Sequence, residues 1–278
     1  MNPVHIVNGG IGKCIVFTSL LKKLEAKQGS KINIHSVHNE VFDNHPSVEK
    51  IIPTYDWLDR KNCVENYREF SDIVHKDPYY SSYVFDDISI KETYFNLYDL
   101  EFENDKNDIP ITKYSELVSD KYGNKSYFIF QLTGGQSVKS DNYFQNGQYR
   151  NYSFDRALRL VEQLSYSFPE VMFLDFSHNN EYNFNYPNVV KYNGNLMGIQ
   201  TLLKNSLGYL SIDSCLQHIA STKQIDRRGI VLWNDVNTTP EKIGYKENCN
   251  LIFSGLTPIQ INENTIMEKV ENLLKEQS

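Results

Sequence analysis

Four cysteines in 278 residues, Cys14, Cys63, Cys215 and Cys249, form no CxxC pair. That spacing excludes a zinc ribbon and a disulfide framework, and it predicts a reducing compartment. The seven histidines contain no HExxH, and His35 and His38 fall at a predicted strand end, so no metal site is expected. No apolar run approaches the roughly 18–20 residues that span a bilayer. The first ten residues lack a basic segment followed by a long apolar one, so no signal peptide is expected and the predicted location is cytoplasmic. Also missing are the GxxxxGK[ST] loop, the GxGxxG fingerprint and a Tyr-xxx-Lys pair. Their absence weighs against a P-loop NTPase and against an epimerase or reductase that uses a dinucleotide.

What is present is an ordinary globular composition, 40% apolar and 23% charged, on a chain long enough for two domains of about 130 residues each. The net charge of −7 speaks against wholesale nucleic-acid binding. Its distribution is uneven: residues 1–35 carry +4, residues 36–120 carry −11, residues 121–160 carry +4 and residues 161–278 carry −4. Each basic pool surrounds a glycine-rich turn, where a phosphate would be expected to sit. Abundant Asn, Lys, Ile and Tyr match AT-rich genomes such as those of many phages, which would place the protein in the host cytoplasm.

Hydrophobic periodicity predicts a strand over 3–8, a Gly9-Gly10-Ile11-Gly12 turn, a helix over 13–28 stopped by Gly29, a strand over 31–37 and another at 50–52. Residues 55–120 read as short helices and loops. A second start follows: a strand over 126–132, a Thr133-Gly134-Gly135 turn, and a helix over 154–168 capped by Ser153. Strands over 171–176, 189–192, 208–212 and 229–233 then alternate with helices over 199–205 and 215–222. The terminal segment 263–276 is an amphipathic helix. This alternation predicts an α/β protein with two Rossmann-like domains, each built on a parallel sheet. The expected division is 1–122, 123–262 and a final helix, 263–278.

Four segments can carry chemistry. Asn8-Gly9-Gly10-Ile11-Gly12-Lys13 joins a strand to a helix, so its backbone can approach an anion closely, with Lys13 adding charge. Thr133-Gly134-Gly135-Gln136-Ser137, with Lys139 close behind, repeats that arrangement in the second half. Ile212-Asp213-Ser214-Cys215-Leu216-Gln217-His218 runs from a strand end into a helix, at the edge of a sheet where doubly wound folds bind ligands. A polar, proline-containing loop that includes Asn234 and Thr239 follows a further strand and offers the neutral hydrogen bonds a sugar or diphosphate needs.

On these segments the chain resembles glycosyltransferase family 9, the heptosyltransferase group. The resemblance rests on the opening Gly turn with TSLL, on NHPSVEKII, on IDSCLQHIA and on LWNDVNTTPEKIGY; it covers most of 3–52 and 126–253. It implies a GT-B fold, with the two domains facing each other across a cleft and the final helix crossing back to the N-terminal domain. It further implies an acceptor-side first domain, a nucleotide-sugar donor held by the second, no obligatory metal or cofactor, and inversion at the anomeric carbon. Carried over, the donor-binding candidates are Thr133, Gly134, Gly135, Lys139, Asp213, Ser214, Cys215, His218, Asn234 and Thr239. Gly9, Gly10 and Gly12 form the acceptor-side anion loop.

One departure matters: where many members have an aspartate general base, this chain has Lys13. A protonated lysine is a poor base and a good partner for an anion. A replacement base is sought among Asp77, Asp86, Asp87 and His75, and Asp77 is chosen because Pro78 fixes the turn after it; Asp77 and Lys13 are the catalytic candidates. The predicted activity is hexosyl, pentosyl or heptosyl transfer to a hydroxyl. The acceptor is either a cell-surface glycan such as lipopolysaccharide or a hydroxymethylated base in phage DNA, with Tyr79, Tyr80 and Tyr83 available to stack on a flipped base. The alternative reading is a non-catalytic nucleotide-sugar-binding protein.

Overall fold

The computed structural model describes residues 2–53, 70–80, 88–104, 106–122, 125–134, 149–177, 182–236 and 238–277. Gly135, Lys139, Tyr83, Asp86 and Asp87 lie outside them. The chain divides into two compact units. The first comprises Met1–Pro110 with Thr222–Gln224, and the second Ile111–Ser221 with Ile225–Ser278.

The first unit opens with strand β1 (Val4–Ile6), helix α1 (Ile11–Phe17), a 3₁₀ turn (Thr18–Leu20) and helix α2 (Leu21–Gln28). The sequence predicted one unbroken helix here. The break has a local cause: Thr18 Oγ1 and Ser19 Oγ donate back to the carbonyls of Ile15 and Val16 at 2.6 and 2.8 Å, competing with the helical ladder. Strands β2 (Ile32–Ser36), β3 (Val48–Pro53) and β4 (Ile73–Val74) and helix α3 (Ile90–Leu97) complete the regular elements described in this unit. All strand pairings are parallel, in the order β3-β2-β1-β4. Its core is aromatic. Phe17 meets Tyr94 and Tyr98 edge-on, with ring centroids 5.3 and 5.6 Å away.

The second unit contains helix α4 (Lys113–Asp120), strand β5 (Tyr127–Gln131), helix α5 (Phe154–Ser167), strands β6 (Met172–Asp175) and β7 (Val189–Lys191), and helix α6 (Ile199–Asn205). Strand β8 (Tyr209–Ile212), helix α7 (Cys215–Ala220), strand β9 (Gly229–Asn234), helix α8 (Pro240–Ile243), strand β10 (Cys249–Phe253) and helix α9 (Glu263–Gln277) follow. Its six strands are again parallel, in the order β10-β9-β8-β5-β6-β7. Helix α5 buries Ala157, Leu160, Val161 and Leu164, a 3–4 spacing that gives one apolar face. Burying each aliphatic side chain of this size is worth roughly 1.5–3 kcal/mol.

The compact units part at Pro110/Ile111, and α4 packs on α6: Ser115 Oγ lies 2.6 Å from Thr201 Oγ1, and Thr112 N donates to Gln200 Oε1 at 3.3 Å. The final helix belongs to the second unit. Ile266, Val270 and Leu274 enter the core of the second, and Glu263 at its start pairs with Arg156 and Arg159 of α5 at 2.6 and 2.7 Å. No helix among the described residues is long and apolar enough to cross a membrane.

Candidate functional site

Strand order locates one seam in each sheet. In the first, successive strands step from β1 to β3 in one direction and β4 then joins the other side of β1. In the second, β5, β6 and β7 step one way and β8, β9 and β10 the other, leaving the seam between β5 and β8. At such a switch point adjacent connections leave on opposite faces and open a crevice at the carboxyl ends of the strands.

In the first unit the seam is spanned by Lys13 and Asp77, 64 residues apart in sequence. Lys13 Nζ donates to Asp77 Oδ2 at 2.7 Å, with the two side chains 4% and 12% exposed. The other carboxylate oxygen accepts from Tyr79 N at 3.0 Å, in the turn that Pro78 begins. The Tyr79 ring lies 5.1 Å from the ammonium and supplies a cation–π contact. The anion that Lys13 meets is therefore the protein's own. Gly9 makes room for this geometry. Its φ is +118°, and a Cβ there would come within 2.4 Å of Lys13 Cε, so a side chain is opposed by both the backbone and the lysine. Gly10 is the N-cap of α1 and Gly12 sits in its first turn. His75 is exposed nearby in sequence.

In the second unit the seam gathers Thr133 and Gly134 from the end of β5 and Asp213 and Ser214 from the end of β8. Gly134 is packed so closely that a Cβ would lie 3.0 Å from Ile212 Cδ1 and 3.5 Å from Ser214 Cβ. Its N–H donates to Asn151 Oδ1 at 3.0 Å. Ser214 caps α7 by accepting from Leu216 N at 3.4 Å, and its hydroxyl donates to Gln131 Oε1 at 2.6 Å. Asp213 is buried and fully engaged. Its Oδ2 accepts from Arg150 Nη2 at 3.1 Å and Thr238 Oγ1 at 2.8 Å, and its Oδ1 from Gln217 Nε2 at 2.8 Å. Among the described residues Thr133 Oγ1 and Gln217 Oε1 are buried without a hydrogen-bond partner. A buried polar atom in that condition costs free energy unless a ligand or water completes it.

The remaining candidates take other positions. Asn234 is buried, and its Nδ2 donates to the carbonyls of Tyr149, Gly255 and Thr257, each at 3.0 Å. Its amide nitrogen holds loops together. Thr239 is the N-cap of α8, whereas its neighbour Thr238 reaches Asp213. His218, in the last turn of α7, has Nδ1 2.8 Å from the Tyr245 hydroxyl. Burial pushes the Cys215 thiol up to about 12, which keeps it protonated and unreactive at neutral pH. No three His, Cys, Asp or Glu side chains among the described residues are grouped to hold a metal ion.

Sequence reasoning missed Arg150 and Thr238. Arg150 belonged to the basic pool at 121–160, which was a usable signal. Thr238 had none beyond its place in a polar loop.

The architecture these seams belong to is that of the GT-B glycosyltransferases. The chain is similar in structure to E. coli ADP-heptose lps heptosyltransferase II, with a TM-score of 0.73 at 13% identity over 100% of this chain and 99% of that one. It is also similar to a glycosyl transferase family 9 protein from Veillonella parvula, TM-score 0.70 at 12% identity over 99% and 97% of the two chains. The E. coli heptosyltransferase WaaC, solved with ADP, gives 0.67 at 13% identity over 98% and 100%. No family model and no curated protein matches the sequence.

Proposed function

We propose that this chain is a glycosyltransferase that moves a sugar from a nucleotide-sugar donor to a hydroxyl acceptor without a metal ion. The observation that carries the reading is the β5–β8 seam. There the Thr133–Gly134 end of β5 meets the Asp213–Ser214 end of β8, and the buried Thr133 hydroxyl has no partner among the described residues. A diphosphate, rich in acceptor oxygens, is the ligand such a site completes. Support comes from the fold, shared along nearly its full length with a heptosyltransferase solved with ADP.

The reaction is a direct displacement with inversion. The acceptor oxygen attacks the anomeric carbon as the bond to the diphosphate breaks, and that bond's electron pair leaves with the nucleoside diphosphate. The acceptor's proton passes to the Asp77 carboxylate, which Lys13 and the Tyr79 N–H hold in one orientation. Lys13 is then a positioning residue.

A glycan acceptor fits better than DNA. Three of the lysines in the N-terminal basic pool are paired with acids of their own unit: Lys13 with Asp77, Lys23 with Glu103 and Lys27 with Asp99. Little of that pool is left to neutralise phosphates.

The test is a thermal-shift screen against nucleoside diphosphates and their sugars, followed by turnover with glycan and hydroxymethylated-DNA acceptors in EDTA. Stabilisation by one nucleotide family and EDTA-resistant transfer are expected. Binding to none at millimolar concentration sinks the proposal. Binding without transfer or donor hydrolysis identifies a nucleotide-sugar-binding protein, and transfer that falls steeply with salt identifies DNA.

A further inference from the structure

We propose that His38, held by Glu40, is the second hydrogen-bonding point of the acceptor site. It receives a hydroxyl of a neutral sugar and so selects which of that sugar's other hydroxyls reaches Asp77. The inference rests on the transfer reading above and gives its acceptor a chemical class.

The placement follows from the backbone. Strand β2 ends at Ser36 and pairs with β1. The Ser36 hydroxyl donates to Val7 O at 2.8 Å and accepts from His38 N at 3.1 Å. One side chain thus ties His38 to the tip of β1, where the turn through Asn8 and Gly9 begins. A 3₁₀ turn (Asn39–Val41) buries Val41 and brings Glu40 round to the imidazole, with His38 Nδ1 3.4 Å from Glu40 Oε1. Burial pushes the Cys14 thiol up to about 12; the Ser36 hydroxyl and Lys13 pull it down, and Glu40 and Asp77 push it further up. The pair and the proposed base therefore share the start of α1. Strands β2 and β4 border β1 on opposite sides, which sets the groups that follow them about 10 Å apart. That distance suits one sugar ring with a hydrogen bond at each end.

The chemistry follows from what each group can donate. A carboxylate only accepts, so Nδ1 carries the proton that faces Glu40. Burial would raise the Glu40 carboxyl, but its hydrogen bonds to His38 and to its own backbone hold it below the ordinary value. In the neutral ring Nε2 then keeps its lone pair. It has no partner among the described residues, and the side chain is 26% exposed. A carboxylate on Nδ1 fixes both the tautomer and the aim of the ring. What Nε2 takes is an O–H, and the same holds for Asp77. With Lys13 already paired to Asp77, these groups repel a phosphate or carboxylate and accept a polyol. One base alone does not distinguish the hydroxyls of a sugar. A second fixed point does, because it allows a single orientation of the ring.

The experiment uses the full chain, the nucleotide sugar that it turns over, and methyl glycosides of neutral hexoses and heptoses with their singly deoxygenated derivatives. His38→Ala should raise the KM of the best glycoside about threefold to tenfold. It should leave hydrolysis of the donor by water unchanged, which also shows that the variant is folded. His38→Gln keeps an acceptor oxygen near the place of Nε2 and should recover part of the loss. Glu40→Gln should give a smaller rise. One deoxy derivative should serve the wild type as poorly as the parent glycoside serves H38A, and should lose nothing more in H38A. Equal KM in H38A and wild type overturns the proposal. So does a loss spread evenly over every deoxy derivative, which marks a structural role, and so does a fall in kcat at constant KM, which makes His38 the base. Donor hydrolysis without transfer to any neutral glycoside overturns the acceptor class and leaves the transferase reading standing. If no nucleotide sugar is bound or hydrolysed, that reading falls and this one with it.

Discussion

At the strand tips of the first unit two opposite charges meet and satisfy each other. At those of the second, one carboxylate is divided among three donors and a threonine hydroxyl has no partner among the described residues. Both seams arise from the same topological accident, a reversal of strand order, and both are entered by a glycine turn. The first is built to hold a single side chain, Asp77, in one pose. The second is where the proposed donor sits, beside a Thr133 hydroxyl with no partner among the described residues, although the glycine turn of the first also holds one such atom, Asn8 Oδ1. Preorganised charge suits a group that handles a proton, and an unfilled donor set suits a group that must bind and leave.

The contrast can be broken most decisively at Asp77. Asp77→Asn keeps the shape of the turn and removes the base, so turnover should fall by about 10²–10⁴ while nucleoside diphosphate affinity stays put. A variant that loses affinity and keeps turnover reverses the roles of the two seams.

Acid should separate the units next. Burial lowers His5 in β1 from the ordinary 6.5 to about 4, and also lowers His35 and His45 in the same unit. Their neutral forms are favoured by folding, so the unfolded chain binds more protons between those limits and stability is lost as pH falls through them. For His5 alone the loss between pH 6.5 and 4 is about 3 kcal/mol. Hydrogen exchange read by peptide should show the first unit opening before the second, and His5→Gln should flatten that pH slope. Equal protection of both units at pH 4.5 contradicts the assignment.

A smaller effect is expected at Asn234. Asn234→Ala strips a shared donor from three carbonyls, and about 2 kcal/mol should be lost, seen as a lower urea midpoint with α1 exchange unchanged. The smallest is Thr133→Val. Removing a hydroxyl that has no partner among the described residues should alter stability by less than about 1 kcal/mol in either direction, yet weaken diphosphate binding. A marked drop in melting temperature would mean the hydroxyl already has a partner.

How much of this was legible in the sequence varies along the chain. The step from β8 into α7 was read correctly because an apolar run ending in Asp213-Ser214 carries its own cap, and Ser214 does accept from Leu216 N. Strand β4 was not read. It has two residues, its Ile73 is 46% exposed, and its identity comes from pairing with β1, which no local pattern encodes. Strand β10 escaped for a similar reason, since it borders only β9 at the sheet edge. Asp77 was selected for the rigidity Pro78 gives it, but its pairing with Lys13 is a long-range contact that spacing cannot disclose. Arg150 was hidden in plain composition: only the fold shows which arginine of a basic stretch reaches a strand tip.

Asn234 has a mechanical consequence. Its amide pins the backbone at Tyr149, one residue before Arg150, to the backbone at Gly255 and Thr257. Whatever tugs on the arginine is thereby felt a hundred residues downstream, and occupancy of the crevice should be audible as slowed amide exchange around Gly255 and Thr257.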